Sequence, residues 1–411
     1  MDVIFPLIVF VGLAALGIRF AGWGLEPAEQ QWMQRALTWA VIVRMLAACA
    51  FALFPALRMF HEDATSYENI GLDLAAAWLG KGPPIMLGRS QNFGFYYVSG
   101  AVYYLFGAFR VNVSFFNALI GSASMMLVYR MTRRLFHKLV ARRAALLVGF
   151  FPSMVLWSSI ALKDALMTFL IVLCLHSCVR LKERFSLPPL LGVLLTPLAM
   201  QTIRFYMFYF IAFAILTSLV IDRGLGLLTG VYKQILIAGT AAALLLIVGL
   251  AGGTIKGAEV LDFQRASTFR HGMAVTASSG FDHEADISTP VKALLYLPTG
   301  VAVLLLGPFP WQFSTARSLL AAPETLAWWL MLPALIRGIV FAIRNRFTRS
   351  SPLLMFSVVM TFGYALVQGN VGAAFRQRAQ IFALLFVFAA LGSMVKKCRK
   401  AGLSETHLLN V

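Results

Sequence analysis

Residues 113–161 read VSFFNALIGSASMMLVYRMTRRLFHKLVARRAALLVGFFPSMVLWSSIA. Two apolar runs, 113–129 and 144–161, flank a segment carrying Arg130, Arg133, Arg134, Lys138, Arg142 and Arg143. Each run approaches the roughly 20 apolar residues that carry a helix across the hydrocarbon core of a bilayer. A short loop dense in Arg and Lys between two such runs is retained in the cytoplasm. The stretch therefore predicts a pair of membrane-spanning helices joined on the inner side.

The same pattern extends in both directions. Further apolar runs occupy 3–20, 36–57, 165–179, 187–203, 205–221, 234–251, 324–343, 352–368 and 380–395, which predicts an all-α polytopic protein of about 11 transmembrane helices. Composition agrees: of 411 residues, 60% are hydrophobic and 13% charged, against about 25% charged in soluble domains. Mean hydropathy is +0.79. The formal net charge of +18 would point to nucleic acid in a soluble protein, but here it sorts into loop clusters that orient the chain and meet anionic lipid. A nucleic-acid partner is not expected. The four cysteines, Cys49, Cys174, Cys178 and Cys398, form neither a disulfide framework nor a zinc spacing. The opening Met1-Asp2-Val3 lacks a basic n-region, and the first run is expected to be retained as a helix.

Two shorter runs, 93–109 and 291–307, are broken by Gly, Pro and aromatic residues. Counting both as spans would scatter the basic clusters over both faces. Treating them as interfacial or re-entrant segments places 130–143, Arg180/Lys182/Arg184, Arg344/Arg346/Arg349 and Lys396/Lys397/Arg399/Lys400 on one side. Tyr96, Tyr97, Tyr103 and Tyr104 suit 93–109 to a water–lipid boundary. The predicted organisation is one integral membrane domain, 1–411. Its first outer loop, 58–112, bears interfacial helices, and its second, 252–323, contains the re-entrant segment. The N-terminus lies outside and the C-terminus in the cytoplasm.

That topology gathers several charged residues on the outer face, where ionisable groups at membrane depth are functional candidates. His61-Glu62-Asp63-Ala64-Thr65-Ser66-Tyr67 follows the second span, and a carboxylate at such a helix exit can act as a base or bind a divalent metal. Lys163-Asp164 lies at another outer span end; Asp164 also suits a helix N-cap. Arg204, Arg376 and Arg378 stand at outer span ends, against the positive-inside preference. Guanidinium forks match phosphate oxygens, so these arginines are read as ligands of a lipid-linked phosphate, with snorkelling to ordinary headgroups as the alternative. The stretch Phe281-Asp282-His283-Glu284-Ala285-Asp286, with Arg265, Arg270 and His271 upstream, has no metal-ligand spacing and reads as a polar loop or lid. No Gly-rich phosphate loop or Ser/His/Asp arrangement is present, which disfavours nucleotide-sugar enzymes and ATP-driven pumps.

Taken in order, Asp63-x3-Tyr67, the aromatic segment Phe95-Tyr96-Tyr97 to Phe106-Gly107, Phe116-Asn117-Ala118-Leu119-Ile120-Gly121, Tyr129 to Phe136, and Phe151-Pro152-Ser153 to Trp157-Ser158 before Asp164 resemble the C-type (GT-C) membrane glycosyltransferases. Within that superfamily the pattern is most similar to bacterial relatives of protein O-mannosyltransferases and of lipid A aminoarabinose transferases. The resemblance implies hexosyl or pentosyl transfer from a polyprenyl-phosphate-linked donor to an extracytoplasmic glycan, lipid or protein acceptor, in a bacterial inner membrane. It implies catalytic roles for Asp63 and Asp164, which could also hold a divalent metal, though two carboxylates supply only part of a shell. Arg376, Arg378 and Arg204, with Tyr67 and Lys163, would bind substrate. Here the acidic pair reads Glu62-Asp63 where relatives read Asp-Glu, and acceptor recognition is expected from 252–290 or from a partner. Two other readings compete: a polysaccharide polymerase or ligase using diphosphate-linked glycans, which needs no first-loop aspartate, and a non-catalytic lipid-carrier flippase or assembly subunit, which would carry charges along its spans.

Overall fold

The computed structural model describes residues 4–54, 57, 62–87, 93–221, 263–277, 279–312 and 316–409. Among them the chain is helical throughout its regular structure: α1 (Ile4–Ala21), α2 (Pro27–Leu53), α3 (Glu62–Trp78), α4 (Phe93–Phe106), α5 (Asn112–Leu135), α6 (Lys138–Phe150), α7 (Pro152–Trp157), α8 (Asp164–Glu183), α9 (Leu187–Ile203), α10 (Phe205–Ile221), α11 (Phe263–Thr276), α12 (Pro290–Leu306), α13 (Ala316–Val367) and α14 (Val371–Lys400). Among the described residues six helices are long and apolar enough to cross a membrane, and Leu187–Ile203, Phe205–Ser218 and Pro290–Leu306 are shorter apolar ones. The predicted span 234–251 lies outside the described residues.

Helix α13 reverses within itself. Arg346, at φ −143° and ψ 28°, is non-helical. Before it the chain runs alongside α14 in the same direction: Trp328 packs on Phe382, and Gly338 on Phe388 and Gly392. Beyond it the direction is opposite, with Tyr364 bonded to Gln380 and Gln368 to Gln377. These limbs are the predicted spans 324–343 and 352–368. The first presses backbone to backbone against α14, since a Cβ on Gly338 would fall 1.8 Å from the Phe388 carbonyl oxygen and one on Gly392 1.9 Å from that of Ala334. Small residues permit such approach where no hydrophobic driving force separates helix from lipid.

Contacts place all four basic clusters at one end of the bundle. Lys182 Nζ donates to the Thr348 carbonyl at 2.8 Å and to Ser351 Oγ at 2.9 Å. The His137 amide donates to the Leu408 carbonyl, and Arg346 to that of Leu409. Helices α4 and α12 stay at the opposite end. Gly94, in the first turn of α4, abuts Thr202 at the far end of α9. At the other end of α4, Asn112 Nδ2 holds the Phe106 and Gly107 carbonyls. Gly300 of α12 abuts Ala365, and the Gly307 carbonyl after it accepts from Arg378. These contacts of both helices lie at that end of the bundle.

The span expected at 144–161 is not one helix. It breaks at Phe151-Pro152 into α6, of 13 residues, and the six-residue α7, because Pro152 has no N–H for the Val148 carbonyl. Arg44, buried in α2, repairs the break: its Nη2 donates to Val148 O at 3.0 Å, its Nη1 to Gly149 O at 2.6 Å, and its Nε to Ser158 Oγ at 2.8 Å. Gly149 lacks its helical partner because the Ser153 amide donates instead to Glu324 Oε2 at 2.6 Å. A cation and a carboxylate from two other helices thus satisfy the two faces of the break, as backbone groups in a dry interior require. The broken segment turns through 158–163, held where Asn117 Nδ2 donates to the Ile160 and Leu162 carbonyls at 2.7 and 2.8 Å. It delivers Asp164 to the end opposite the basic clusters.

Candidate functional site

Asp164 opens α8 but does not cap it, because its carboxylate is used elsewhere. Arg204 sits at the single non-helical residue between α9 and α10, φ −147° and ψ 99°. That break turns the chain back and aims the guanidinium inward. Arg204 Nη2 donates to Asp164 Oδ1 at 2.7 Å, and Gln380 Nε2 donates to the same oxygen at 2.9 Å. Arg204 Nη1 donates to Tyr364 Oη at 3.0 Å, and Tyr364 Oη to Gln380 Oε1 at 2.9 Å. Asp164, Arg204, Tyr364 and Gln380 therefore form a closed hydrogen-bonded ring drawn from four segments, every member buried.

The other carboxylate oxygen, Oδ2, faces Arg376 Nε at 3.6 Å. Arg376 lies one turn before Gln380 on α14, hence on the same face, and its side chain keeps 21% of its surface exposed. Lys163 also acts on the Asp164 charge, and its Nζ lies 5.9 Å from the centre of the Tyr67 ring. Among the described side chains the locality thus sets one carboxylate against three cations, an excess of positive charge suited to an anion.

Tyr67 brings the first predicted loop to this point. Its ring meets Phe95 edge-on at 5.0 Å and Tyr96 at 5.3 Å, and α3 fits against α4 where Gly71 faces Ser99. Burial, then the neighbouring Asp164 charge, push the Tyr67 hydroxyl far above the ordinary tyrosine range, so it is a permanent hydrogen-bond donor. Asp63 lies in the first turn of α3, one turn before Tyr67 and on the same helix face; its side chain lies outside the described residues.

Of the seven residues singled out from sequence, Asp164, Arg204, Arg376, Lys163 and Tyr67 come together, and Asp63 is set one helical turn away. Arg378 goes elsewhere. Two residues along a helix are about 200° apart, so Arg378 turns away from Arg376 into the core. There it is buried, donates to Gly307 O, lies over the Phe375 and Phe382 rings at 4.5 and 5.0 Å, and stands 3.7 Å from Glu324. Sequence reasoning missed Tyr364 and Gln380, each an isolated polar residue in an apolar run; the four-residue spacing of Gln380 from Arg376 was the available signal.

A divalent cation at Asp164 would require more oxygen ligands than this locality offers. Oδ1 is already bonded to two donors, the neighbours are cationic, and among the described residues no three His, Cys, Asp or Glu side chains cluster. The residues described around Asp164 do not fit a metal ion.

The polar stretch 281–286 is tied down. Arg270 of α11, fully buried, donates to the Asp282 carbonyl at 2.9 Å and to Tyr296 Oη at 2.7 Å. Gly280 pairs with Asn370 in an isolated antiparallel bridge, fastening this region to the turn that begins α14, six residues before Arg376.

Comparison with known proteins agrees with this architecture. The profile of the dolichyl-phosphate-mannose-protein mannosyltransferase family matches residues 90–250. The archaeal oligosaccharyltransferase AglB from Archaeoglobus fulgidus, solved in complex with an inhibitory peptide and a dolichol-phosphate, superposes with a TM-score of 0.53 at 13% identity, covering 92% of this chain and 52% of that one. The apo form of an Archaeoglobus fulgidus oligosaccharyltransferase gives a TM-score of 0.50 at 13% identity, covering 90% and 51%. The chain spans about half the length of these structures. No curated protein matches it in sequence.

Proposed function

We propose that this chain, a polytopic membrane protein with the C-type glycosyltransferase fold, transfers a sugar from a polyprenyl-phosphate-linked donor to an extracytoplasmic acceptor. The observation that carries the reading is the partly exposed Arg376 beside the buried Asp164–Arg204 pair, with Lys163 and Tyr67 completing a cationic mouth at the end opposite the basic clusters. The positive-inside rule makes that end extracytoplasmic.

In this reading the acceptor oxygen attacks the anomeric carbon from the face opposite the departing group. The new C–O bond forms as the bond to the carrier phosphate breaks, and its electron pair leaves with the polyprenyl phosphate. Arg376 and Lys163 stabilise that growing charge, the term such a transition state needs most. Asp164, already saturated on Oδ1, is a poor base and acts by holding Arg204 and Arg376 in place. The proton of the acceptor goes to Asp63, which stands one helical turn before Tyr67 on α3. Arg378, engaged with Gly307 and Glu324, supports the helix and does not bind the carrier.

The test separates binding from chemistry. Arg376→Ala should weaken retention of polyprenyl phosphate by about 10- to 100-fold, the value of one charge-assisted hydrogen bond. Asp63→Asn should leave that binding intact and lower transfer by about 10²- to 10⁴-fold. Wild-type binding by the Arg376 variant, or full transfer by the Asp63 variant, would reject the corresponding role.

A further inference from the structure

At the end of the bundle that bears the basic clusters, the last turn of α1 and the last third of α5 enclose a groove of about 410 Å³, lined by Gly17, Phe20, Ala21, Trp23, Met126 and Arg130. Five of the six lining residues carry no charge. Phe20 and Trp23 are 50% and 74% exposed, and a Cβ at Gly17 would meet nothing within 4 Å. Helix α1 is strongly apolar and mostly unburied by the rest of the protein, so the groove opens towards the acyl chains of a membrane rather than into the protein.

One end of this groove is cationic. Arg130 Nη2 donates to the Ala21 and Trp23 carbonyls at 3.0 and 3.1 Å, which fixes the guanidinium at the rim. Arg134, one turn further along α5, and Arg180, in the last turn of α8, lie near enough to repel it. Among the described residues, Glu183 is the carboxylate bonded to this group, through Arg134. The nearby Glu29 is engaged by Arg142 at 2.5 Å and by Tyr129. Three guanidiniums against one carboxylate, at the rim of an apolar groove open to lipid, form a site for an amphiphile with a multiply anionic head.

We infer that this α1–α5 groove binds an anionic phospholipid of the adjacent leaflet, one tail lying along Gly17 and Met126 and the phosphates meeting Arg130, Arg134 and Arg180. Phosphates match guanidinium forks, and basic recesses between helices on the cytoplasmic side recognise diphosphatidyl headgroups. The inference concerns the end of the molecule remote from Asp164 and stands whether or not the glycosyl-transfer reading holds.

The purified full-length protein in detergent, titrated with cardiolipin and separately with phosphatidylcholine and followed by native mass spectrometry, tests it. The wild type should retain cardiolipin at least tenfold more tightly, each guanidinium contributing about fivefold. Gly17→Trp places an indole in the groove from a position whose Cβ meets no protein atom within 4 Å, so it should abolish that preference while leaving the unfolding temperature in lipid-free detergent unchanged. Arg134→Gln should weaken cardiolipin about fivefold and phosphatidylcholine not at all. Equal retention of the two lipids by the wild type, or undiminished cardiolipin binding by Gly17→Trp, would overturn the assignment.

Discussion

Asp164→Asn keeps the shape of the ring and removes its only negative charge. Asp164 and Arg204 are 2% and 4% exposed, so the substitution leaves a guanidinium buried beside a neutral amide and brings the new amide N–H₂ towards Arg376. Uncompensating a buried ion pair in this way costs about 3–5 kcal/mol. Taking about 2 °C per kcal/mol, the lower end for large domains, the unfolding temperature in detergent should fall by about 6–10 °C. The double variant Asp164→Asn/Arg204→Met removes both charges together. It forfeits the Arg204–Tyr364 hydrogen bond, about 1 kcal/mol, but Tyr364 still donates to Gln380 and Arg376 can turn towards solvent. It should unfold within about 2–4 °C of the wild type, so that removing Arg204 as well recovers roughly 2–4 kcal/mol of what Asp164→Asn loses. Scanning calorimetry or intrinsic-fluorescence melting of the three proteins reads this directly. A double variant as unstable as Asp164→Asn, or a single variant melting with the wild type, would refute the ring as an electrostatic unit.

Two further outcomes follow from other parts of the fold. Gly392→Leu places a side chain where a Cβ already falls 1.9 Å from the Ala334 carbonyl; it should prise α13 from α14 and abolish the monodisperse peak in size-exclusion chromatography, whereas Gly12→Leu, in open space, should not. His137 accepts from the Leu139 amide through Nδ1, and burial, aided by Arg133 and Lys138, holds its pKa below the ordinary 6.5. The folded state therefore binds the proton less readily than the unfolded one. Its contribution is complete above about pH 6.5 and lost as pH falls through the lowered folded value. His137→Asn, which caps without titrating, should flatten this part of the melting-temperature profile below pH 6.5.

The spans were legible because a bilayer demands long apolar runs, and the four basic clusters fixed which helix ends share a face without any structural input. The same parity rule is the ground for expecting 93–109 and 291–307 to be interfacial or re-entrant. What the runs hid was their continuity: 144–161 reads as one span because Pro152 is a single letter in an apolar string, and its rescue depends on Arg44, over 100 residues earlier. Asp164, Arg204 and Arg376 were legible as charges in costly places. Arg378 looked equivalent to Arg376, and only helical phase separates them. Tyr364 and Gln380 carry no formal charge, so their part in the ring is a property of the tertiary contact alone.

The guanidinium of Arg44 also constrains the order in which the protein can be made. When α2 leaves the ribosome its arginine enters the membrane with none of the Val148, Gly149 or Ser158 acceptors yet synthesised. A lone arginine at the middle of a helix costs about 2.5–3.5 kcal/mol on insertion scales, which the apolar length of α2 offsets during synthesis. The charge then waits in the bilayer for the broken helix to arrive. Late docking of α6 and α7 onto α2 is thereby made selective, because only a helix with open carbonyls at that depth satisfies the waiting cation, and the kink that delivers Asp164 to its place is recognised by the partner that needs it.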